Sequence, residues 1–271
     1  MKIILNNKAL FKSLRPFNDI GFVPTMGSIH EGHLSLIDRS NQTCKKTIVS
    51  IFVNPKQFNN KKDFKNYPTN INKDIKILKK TKKVDFLYIP KFKDIYKNNK
   101  KSNIKITKEY KVLCAKYRKG HFEGVLDVMD RLTNLVNPKK IFMGKKDYQQ
   151  YLLIKNYLKK KYQTSIIACK TIRDNNKIAL SSRNNHLDLS GIKKASFLSK
   201  SLIKLKRSLV NSKRIKQILE IQSKNFEKLL KIKIEYLELR SIKNLEISNT
   251  VKGSRLFIAY FINNIRLIDN F

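Results

Sequence analysis

Short β-branched and aromatic runs alternate with helical stretches through the first half of the chain, and this alternation restricts the fold more than any other feature. Residues 20–23, 47–53 and 86–89 read as strands, and 33–41 and 72–81 read as the helices between them. Strands joined through helices cannot be hairpin neighbours, because a parallel partner needs a crossover of a dozen or more residues. The series therefore predicts βαβ units and a parallel sheet. Residues 118–136 read as a loop entering a helix with an apolar stripe of Val125, Val128, Met129, Leu132, Leu135 and Val136, Met129 being core packing. A strand at 139–143, a helix at 148–160 and a strand at 164–168 continue the pattern. Beyond about residue 171 the texture changes to a lysine-rich helical region, 190–228, followed by strands at 232–238 and 255–261. The expected architecture is α/β with a smaller C-terminal α+β domain. Ligands of such sheets bind beyond the C-terminal strand ends, where the loops after Val23, Val53 and Met143 lie.

A chain of 271 residues that is 41% hydrophobic has enough apolar surface for a substantial core, which excludes a disordered tail. Its 59 Lys+Arg against 20 Asp+Glu give a formal charge of +39, so a nucleic-acid or other polyanion-binding protein is one reading. The basic residues are mostly lysine, spread among asparagine and isoleucine, and the runs 97–101 and 159–161 contain no arginine. That pattern fits solvated faces better than a nucleic-acid site, where arginine and aromatic residues join the lysines. Loose, salt-sensitive adhesion to polyanions and no specific nucleic-acid partner are expected. Cys44, Cys114 and Cys169 form no CxxC pair, which argues for a reducing compartment. The apolar run after Lys2 is too short for a signal peptide, and no stretch approaches the ~18 apolar residues of a membrane span. A cytoplasmic protein without a membrane partner is expected.

The segment FVPTMGSIHEGHLSL, 22–36, carries the strongest local chemistry. A strand ends at Val23, Pro24 stiffens the exit, Gly27 permits a tight turn, and His33 falls near a helix start. His30 and His33 are three apart, so two imidazoles face one way beside free backbone N–H groups, an anion site suited to phosphate. The helix dipole disfavours charged imidazole there, leaving neutral hydrogen-bond donors. The plainer reading is that one histidine merely caps the turn. A metal site is disfavoured, since HEGH lacks the i,i+4 spacing of HExxH.

The same segment resembles the HxGH signature of the adenylyl-transferring nucleotidyltransferase superfamily, in the form carried by the pantothenate synthetase family. Further blocks resemble that family in order: 51–68, 117–125 (YRKGHFEGV), 137–150 (NPKKIFMGKKDYQQ), 171–184 (TIRDNNKIALSSRN) and 266–270. The resemblance implies a Rossmann-like nucleotidyltransferase domain, 1–172, that binds ATP and pantoate, and a C-terminal α+β lid domain, 173–271, that carries the SSRN loop. The implied reaction joins pantoate to β-alanine. Pantoate carboxylate attacks the α-phosphorus of ATP, and the amine of β-alanine then displaces AMP from pantoyl adenylate. Another nucleotidyltransferase of the superfamily is the alternative within the class.

Carried over residue by residue, the resemblance implies that His30 and His33 contact the ATP phosphates, His33 at the transferring α-phosphoryl group. Lys146 would sit against the phosphates, Asp147 against the ribose hydroxyls, and Gly144 would allow close approach of the nucleotide; in isolation Lys146 reads as a solvated lysine. Pro24, Thr25, Met26 and Ile172 complete the expected nucleotide contacts. Gln57 and Gln150 would hold pantoate, an amide offering donor and acceptor without adding an anion, while Asn54 shapes the pocket and Met26 walls the gem-dimethyl group. Leu180, Ser181, Ser182 and Arg183 would form a mobile loop that closes on the triphosphate, although a serine N-cap followed by a surface arginine is the plain alternative. Arg118 and His121 are expected to support the site. Mg²⁺ would accompany ATP on phosphates and waters without a protein cage, with Asp74 as an indirect contact, and a homodimer is implied. Lys145, Leu180 and Lys170 depart from the family's usual glutamate, methionine and proline, and Asn175 and Asn176 occupy a turn that commonly holds glycine.

Overall fold

The computed structural model describes residues 1–96 and 102–271, so the lysine run at 97–101 lies outside the described residues. The chain divides into two compact units, Met1–Ile106 with Arg118–Lys170, and Thr107–Tyr117 with Thr171–Phe271. A single cut at 172/173 therefore leaves Thr107–Tyr117 with the wrong unit.

The first unit contains β1 (Lys2–Ile4), α1 (Asn7–Leu14), β2 (Ile20–Thr25), α2 (Glu31–Thr43), β3 (Lys46–Ile51), α3 (Lys61–Lys65), α4 (Ile71–Thr81), β4 (Phe86–Tyr88) and α5 (Phe92–Ile95). After the excursion come α7 (His121–Val136), β5 (Lys140–Gly144), α8 (Tyr148–Leu158) and β6 (Ser165–Cys169). The six strands are all parallel, in the order β1-β4-β3-β2-β5-β6. The chain thus runs outward from β2 in one direction through β3 and β4, and β5 and β6 lie on its other side. The crevice at the C-terminal ends of β2 and β5 is the point where the winding reverses, the preferred ligand position in such sheets. Its core includes Val23, Ile37, Val49, Leu78, Leu87 and Phe142, all within 1% of full burial. Met129 is buried too, as the apolar stripe of α7 requires.

Two elements of this unit have no strong sequence signal. β1 is a three-residue edge strand with one buried residue, Ile4, too short to show a period. In α1, Asn6 caps the Ala9 amide, and Leu10 and Leu14 supply a buried i,i+4 pair.

In the second unit, α6 (Cys114–Tyr117) precedes α9 (Leu189–Ser208), α10 (Ile215–Leu230), β7 (Lys233–Ser241), β8 (Ser254–Ile262) and β9 (Ile265–Asn270). The strands form an antiparallel sheet, β7-β8-β9. The helical region expected over 190–228 consists of two helices, since the chain turns after Ser208 and the Ser212 hydroxyl accepts the Arg214 amide before α10 begins. The excursion is tied down by side chains: the Tyr117 hydroxyl donates to the Glu235 carbonyl at 2.7 Å, and Cys114 Sγ lies 3.1 Å from the Tyr236 hydroxyl. Arg173 makes a two-pronged ion pair with Asp269 at 2.6 and 2.9 Å, closing the start of this unit onto its last strand.

One glycine decides how closely α7 approaches the loop after β3. A Cβ on Gly124 would stand 2.3 Å from the Lys56 carbonyl oxygen and 2.7 Å from its carbon, both backbone atoms that cannot rotate away. Gly124→Ala is therefore expected to cost about 1–3 kcal/mol in a urea unfolding titration, while alanine at Gly144, where a Cβ meets nothing within 4 Å, should leave the midpoint nearly unchanged.

Candidate active site

The turn leaving β2 is built before any catalytic side chain is placed. Gly27 has φ +85° and Ser28 φ +53°, so two successive residues are left-handed. A glycine bears this readily, whereas serine is held there by other bonds. They come from Asp74, 2% exposed in the first turn of α4, whose two carboxylate oxygens accept the Ser28 and Ile29 amides at 2.8 Å each. The Thr25 hydroxyl donates to the Ser50 carbonyl at 2.7 Å and accepts the Gly27 amide at 3.2 Å. The Thr25 hydroxyl thus braces the turn against β3. Asp74 has a role the sequence did not show: each of its oxygens clamps the turn.

The clamped turn delivers His30 as the N-cap of α2 and His33 one turn in. His30 Nδ1 accepts the Gly32 amide at 3.1 Å, and His33 Nδ1 accepts the His30 amide at 3.4 Å. A neutral imidazole that accepts at Nδ1 carries its proton on Nε2, so each ring presents one N–H donor away from the helix end. The rings stack at 4.1 Å between centroids, tilted by 30°. Burial is the main cause that lowers the pKa of His33 to about 3, helped by the neighbouring His30 and the Lys146 ammonium. Burial, then Lys146, lowers His30 to about 4, with Asp147 opposing. Capping and donation are therefore one arrangement, and the reading of a histidine as a mere cap is not a competitor to it.

Lys146 and Asp147 occupy the short turn Lys145–Asp147 that follows Gly144 at the end of β5. The Lys146 ammonium lies 3.4 Å from Asp147 Oδ1, and its side chain is only 17% exposed. Gln150 is half-buried in the first turn of α8. Lys145 shares the turn and is half-buried.

Beyond β3, the expected strand 47–53 stops at Ile51, and Phe52 and Val53 lead into a turn at Pro55–Gln57. Asn54 is 1% exposed. Its Oδ1 accepts the Lys56 amide at 3.2 Å and the Tyr96 hydroxyl at 2.9 Å, and its Nδ2 donates to the Gly124 carbonyl at 3.1 Å and to Gln57 Oε1 at 3.3 Å. Because an amide N–H only donates and a carbonyl only accepts, these partners fix the orientation of Asn54 and then that of Gln57. Gln57 Nε2 lies 2.9 Å from the Met26 thioether. His121 holds the same turn from beneath. Arg118 Nη1, which can only donate, lies 2.9 Å from His121 Nε2, so His121 Nδ1 bears the proton and donates to the Gln57 carbonyl at 2.6 Å. Pro24 is half-buried in β2 one residue before Thr25.

In the second unit, the Leu180 amide donates to the Ile172 carbonyl at 3.0 Å, pairing two expected nucleotide contacts across a turn. Lys177, at φ +68°, takes the left-handed position in that turn, and the Asp174 side chain accepts the Ile178 amide at 2.8 Å. This bond replaces the conformational freedom that a glycine would have supplied. Ser181 accepts the Arg183 amide at 3.3 Å as the cap of the turn Ser182–His186, with Ser182 buried and Arg183 half-buried. Ser181 is thus the N-cap of the plain reading.

No group of three or more His, Cys, Asp or Glu side chains among the described residues is placed to hold a metal ion, so a magnesium ion would draw most of its oxygens from phosphates and water. The bonds of Asp74 and Tyr96 did not show in the sequence because their partners lie 45 and 42 residues away.

Comparison with known proteins gives this geometry its context. The family model for pantoate-beta-alanine ligase matches residues 2–271. A pantothenate synthetase of Flavobacterium psychrophilum is 37% identical over 95% of this chain and 94% of its own length, and one of Leptospira interrogans is 41% identical over 93% and 89%. Among solved structures, pantothenate synthetase from Thermus thermophilus superposes with a TM-score of 0.89 at 29% identity, covering 100% of this chain and 99% of that one. Pantoate-beta-alanine ligase from Francisella tularensis, solved with beta-gamma ATP and beta-alanine, superposes with a TM-score of 0.85 at 35% identity over 100% and 97%. A match from the first strand to the last, over a parallel sheet whose reversal point carries two capped histidines, places the chain in the pantoate-beta-alanine ligase family, and its activity is the ATP-dependent condensation of pantoate with β-alanine to pantothenate through pantoyl adenylate.

Proposed function

We propose that adenylation on this chain runs on neutral His30 and His33 as fixed Nε2–H donors, with Lys146 supplying the cation. The observation that carries this reading is the engagement of both Nδ1 atoms by backbone amides. Attack of a carboxylate on phosphorus places negative charge on the non-bridging phosphate oxygens, and donors already aimed there need no reorganisation as that charge develops. His33 serves the α-phosphoryl group and His30 the adjoining phosphates. Lys146 neutralises phosphate charge, and after burial it adds to the causes that keep both imidazoles uncharged. Asp147 takes the ribose hydroxyls, and Gly144, Pro24, Thr25, Met26 and Ile172 approach the nucleotide.

Gln57, oriented by Asn54 and His121, holds pantoate together with Gln150, and Met26 faces the gem-dimethyl group. In the second unit Ser182 and Arg183 are assigned to the departing pyrophosphate, and Leu180 and Ser181 shape their turn. Mg²⁺ enters with the nucleotide, supplying charge neutralisation across the phosphates. The active species is a homodimer, which sedimentation should report as a constant mass across working concentrations. Three free cysteines support a reducing, cytoplasmic setting. No helix among the described residues is long and apolar enough to cross a membrane. Basic residues outnumber acidic ones in both units, so the excess charge marks no single polyanion site.

Pantoate-dependent exchange of pyrophosphate into ATP tests the assignment. His33→Ala is expected to lower the maximal exchange rate ~10²–10³-fold, whereas Gln57→Ala should act mainly by raising the pantoate concentration needed for half-maximal exchange. Exchange that needs no pantoate, or that survives loss of His33, would overturn these roles. Protonation offers a check that needs no substrate. Both histidines bind protons more weakly folded than the ordinary value of 6.5, so they add to stability above that pH and the contribution fades as pH falls toward 4 and then 3. Nitrogen-detected NMR should find both rings as Nε2–H tautomers between pH 6 and 8, and Lys146→Met should raise both pKa values. Titration of either ring above pH 6 in the wild-type protein would defeat the neutral-donor reading.

A further inference from the structure

The first unit contains a cavity of about 320 Å³ that shares only Met26 with the side chains assigned to substrate and nucleotide. Its floor is Ile51, Phe52 and Ile89, at the C-terminal ends of β3 and β4. The catalytic histidines and Lys146 follow β2 and β5, so the cavity is displaced along the sheet from the reversal point toward the β1 edge. Neither Gln57, Gln150, His30, His33 nor Lys146 lines it.

Three features define what it accepts. The mouth is rimmed by Phe64, Ile71 and Phe92, which are 41%, 45% and 42% exposed. Large apolar side chains held open to water around a concave apolar floor mark a ligand-binding depression better than a packing defect, which would close or stay sealed. Second, none of the described lining residues is a lysine or arginine, so no described side chain of the wall offers an anion a counter-charge. Third, the buried ionisable group in the wall, Asp74, has each oxygen accepting a backbone amide, so the wall does not depend on a cationic ligand to satisfy it. Thr69 carries the one hydroxyl among the described lining residues.

We propose that this cavity is a second binding site, for a small neutral molecule with an aromatic or branched apolar body, and that its occupancy is felt by the catalytic turn. The coupling is physical contact: Met26, Gly27 and Asp74 are shared between the cavity wall and the turn. A Cβ on Gly27 would already approach Asp74 Oδ2 to 2.9 Å and Ile51 Cγ2 to 3.3 Å, so a ligand pressing on this wall has no slack to take up before it moves the Asp74 clamp. Asp74 in turn holds the amides of Ser28 and Ile29, the two residues before His30.

The probe is indole, neutral and flat, with indole-3-acetate as its anionic counterpart, each titrated into the full-length protein and followed by amide NMR. Indole is expected to saturate with a Kd on the order of 1 mM, shifting the Gly27, Ser28 and Ile29 amides together with those of Ile71 and Phe92. Phe92→Lys and Ile71→Lys, both at exposed positions, should weaken indole at least tenfold while leaving the unfolding midpoint in place. Indole-3-acetate should bind wild type at least tenfold more weakly than indole. Shifts centred on Gln57 and Gln150, equal binding of the two probes, or no saturation by indole up to ~10 mM would each overturn the proposal. None of these readouts uses enzyme turnover, so failure of this site is distinguishable from failure of the adenylation roles.

Discussion

The turn that carries both histidines hangs from one buried carboxylate. Asp74 reaches from the first turn of α4 to two amides in the turn after β2, and that turn contains two left-handed residues that would otherwise be costly to hold. Charge-assisted bonds to both amides outweigh that cost, because each is worth roughly 1.5–3 kcal/mol where water does not compete. With the turn fixed, His30 has no freedom in where it enters α2, and His33 follows from the 3.6-residue period. The same carboxylate walls the apolar cavity, so the clamp is the natural point at which occupancy there would reach the catalytic turn.

The histidines show how a strongly basic protein keeps two imidazoles uncharged. Burial removes the water that would stabilise imidazolium, and Lys146 adds repulsion to it. Backbone amides at Nδ1 then choose the tautomer. Asn54, Gln57 and His121 repeat the logic without charge: each has partners that can only donate or only accept, so orientation propagates from the backbone to the Gln57 amide. Side chains are thereby oriented before substrate arrives, which is how preorganised sites save reorganisation energy.

The second unit illustrates substitution of one local device for another. Where glycine is common, Lys177 adopts a positive φ, and the Asp174 side chain closes the turn through the Ile178 amide. Ser181 caps the next turn, leaving Ser182 and Arg183 on it. In the first unit the departures Lys145 and Lys170 directly follow β5 and β6.

What the sequence determined by itself was local and periodic. The parallel sheet followed from strand and helix alternation, and the helix-start histidines from their three-residue spacing beside Gly27. The motif blocks carried the reaction class, because nucleotide chemistry needs particular side chains within short stretches. Tertiary structure decided what depends on distant partners. Asp74 read as a weak metal contact because its amides lie 45 and 46 residues away, and Tyr96 had no reading at all. The placement of Thr107–Tyr117 with the second unit rests on Tyr117 and Cys114 meeting β7 more than a hundred residues later. The three-residue edge strand β1 was lost for another reason: apolar periodicity cannot register an element that barely exceeds its own period. The apolar cavity belongs wholly to the fold, since its walls come from the turn after β2, the end of β3 and the segment beyond it, α3, α4, the residues after β4 and α5, and no one segment carries its pattern.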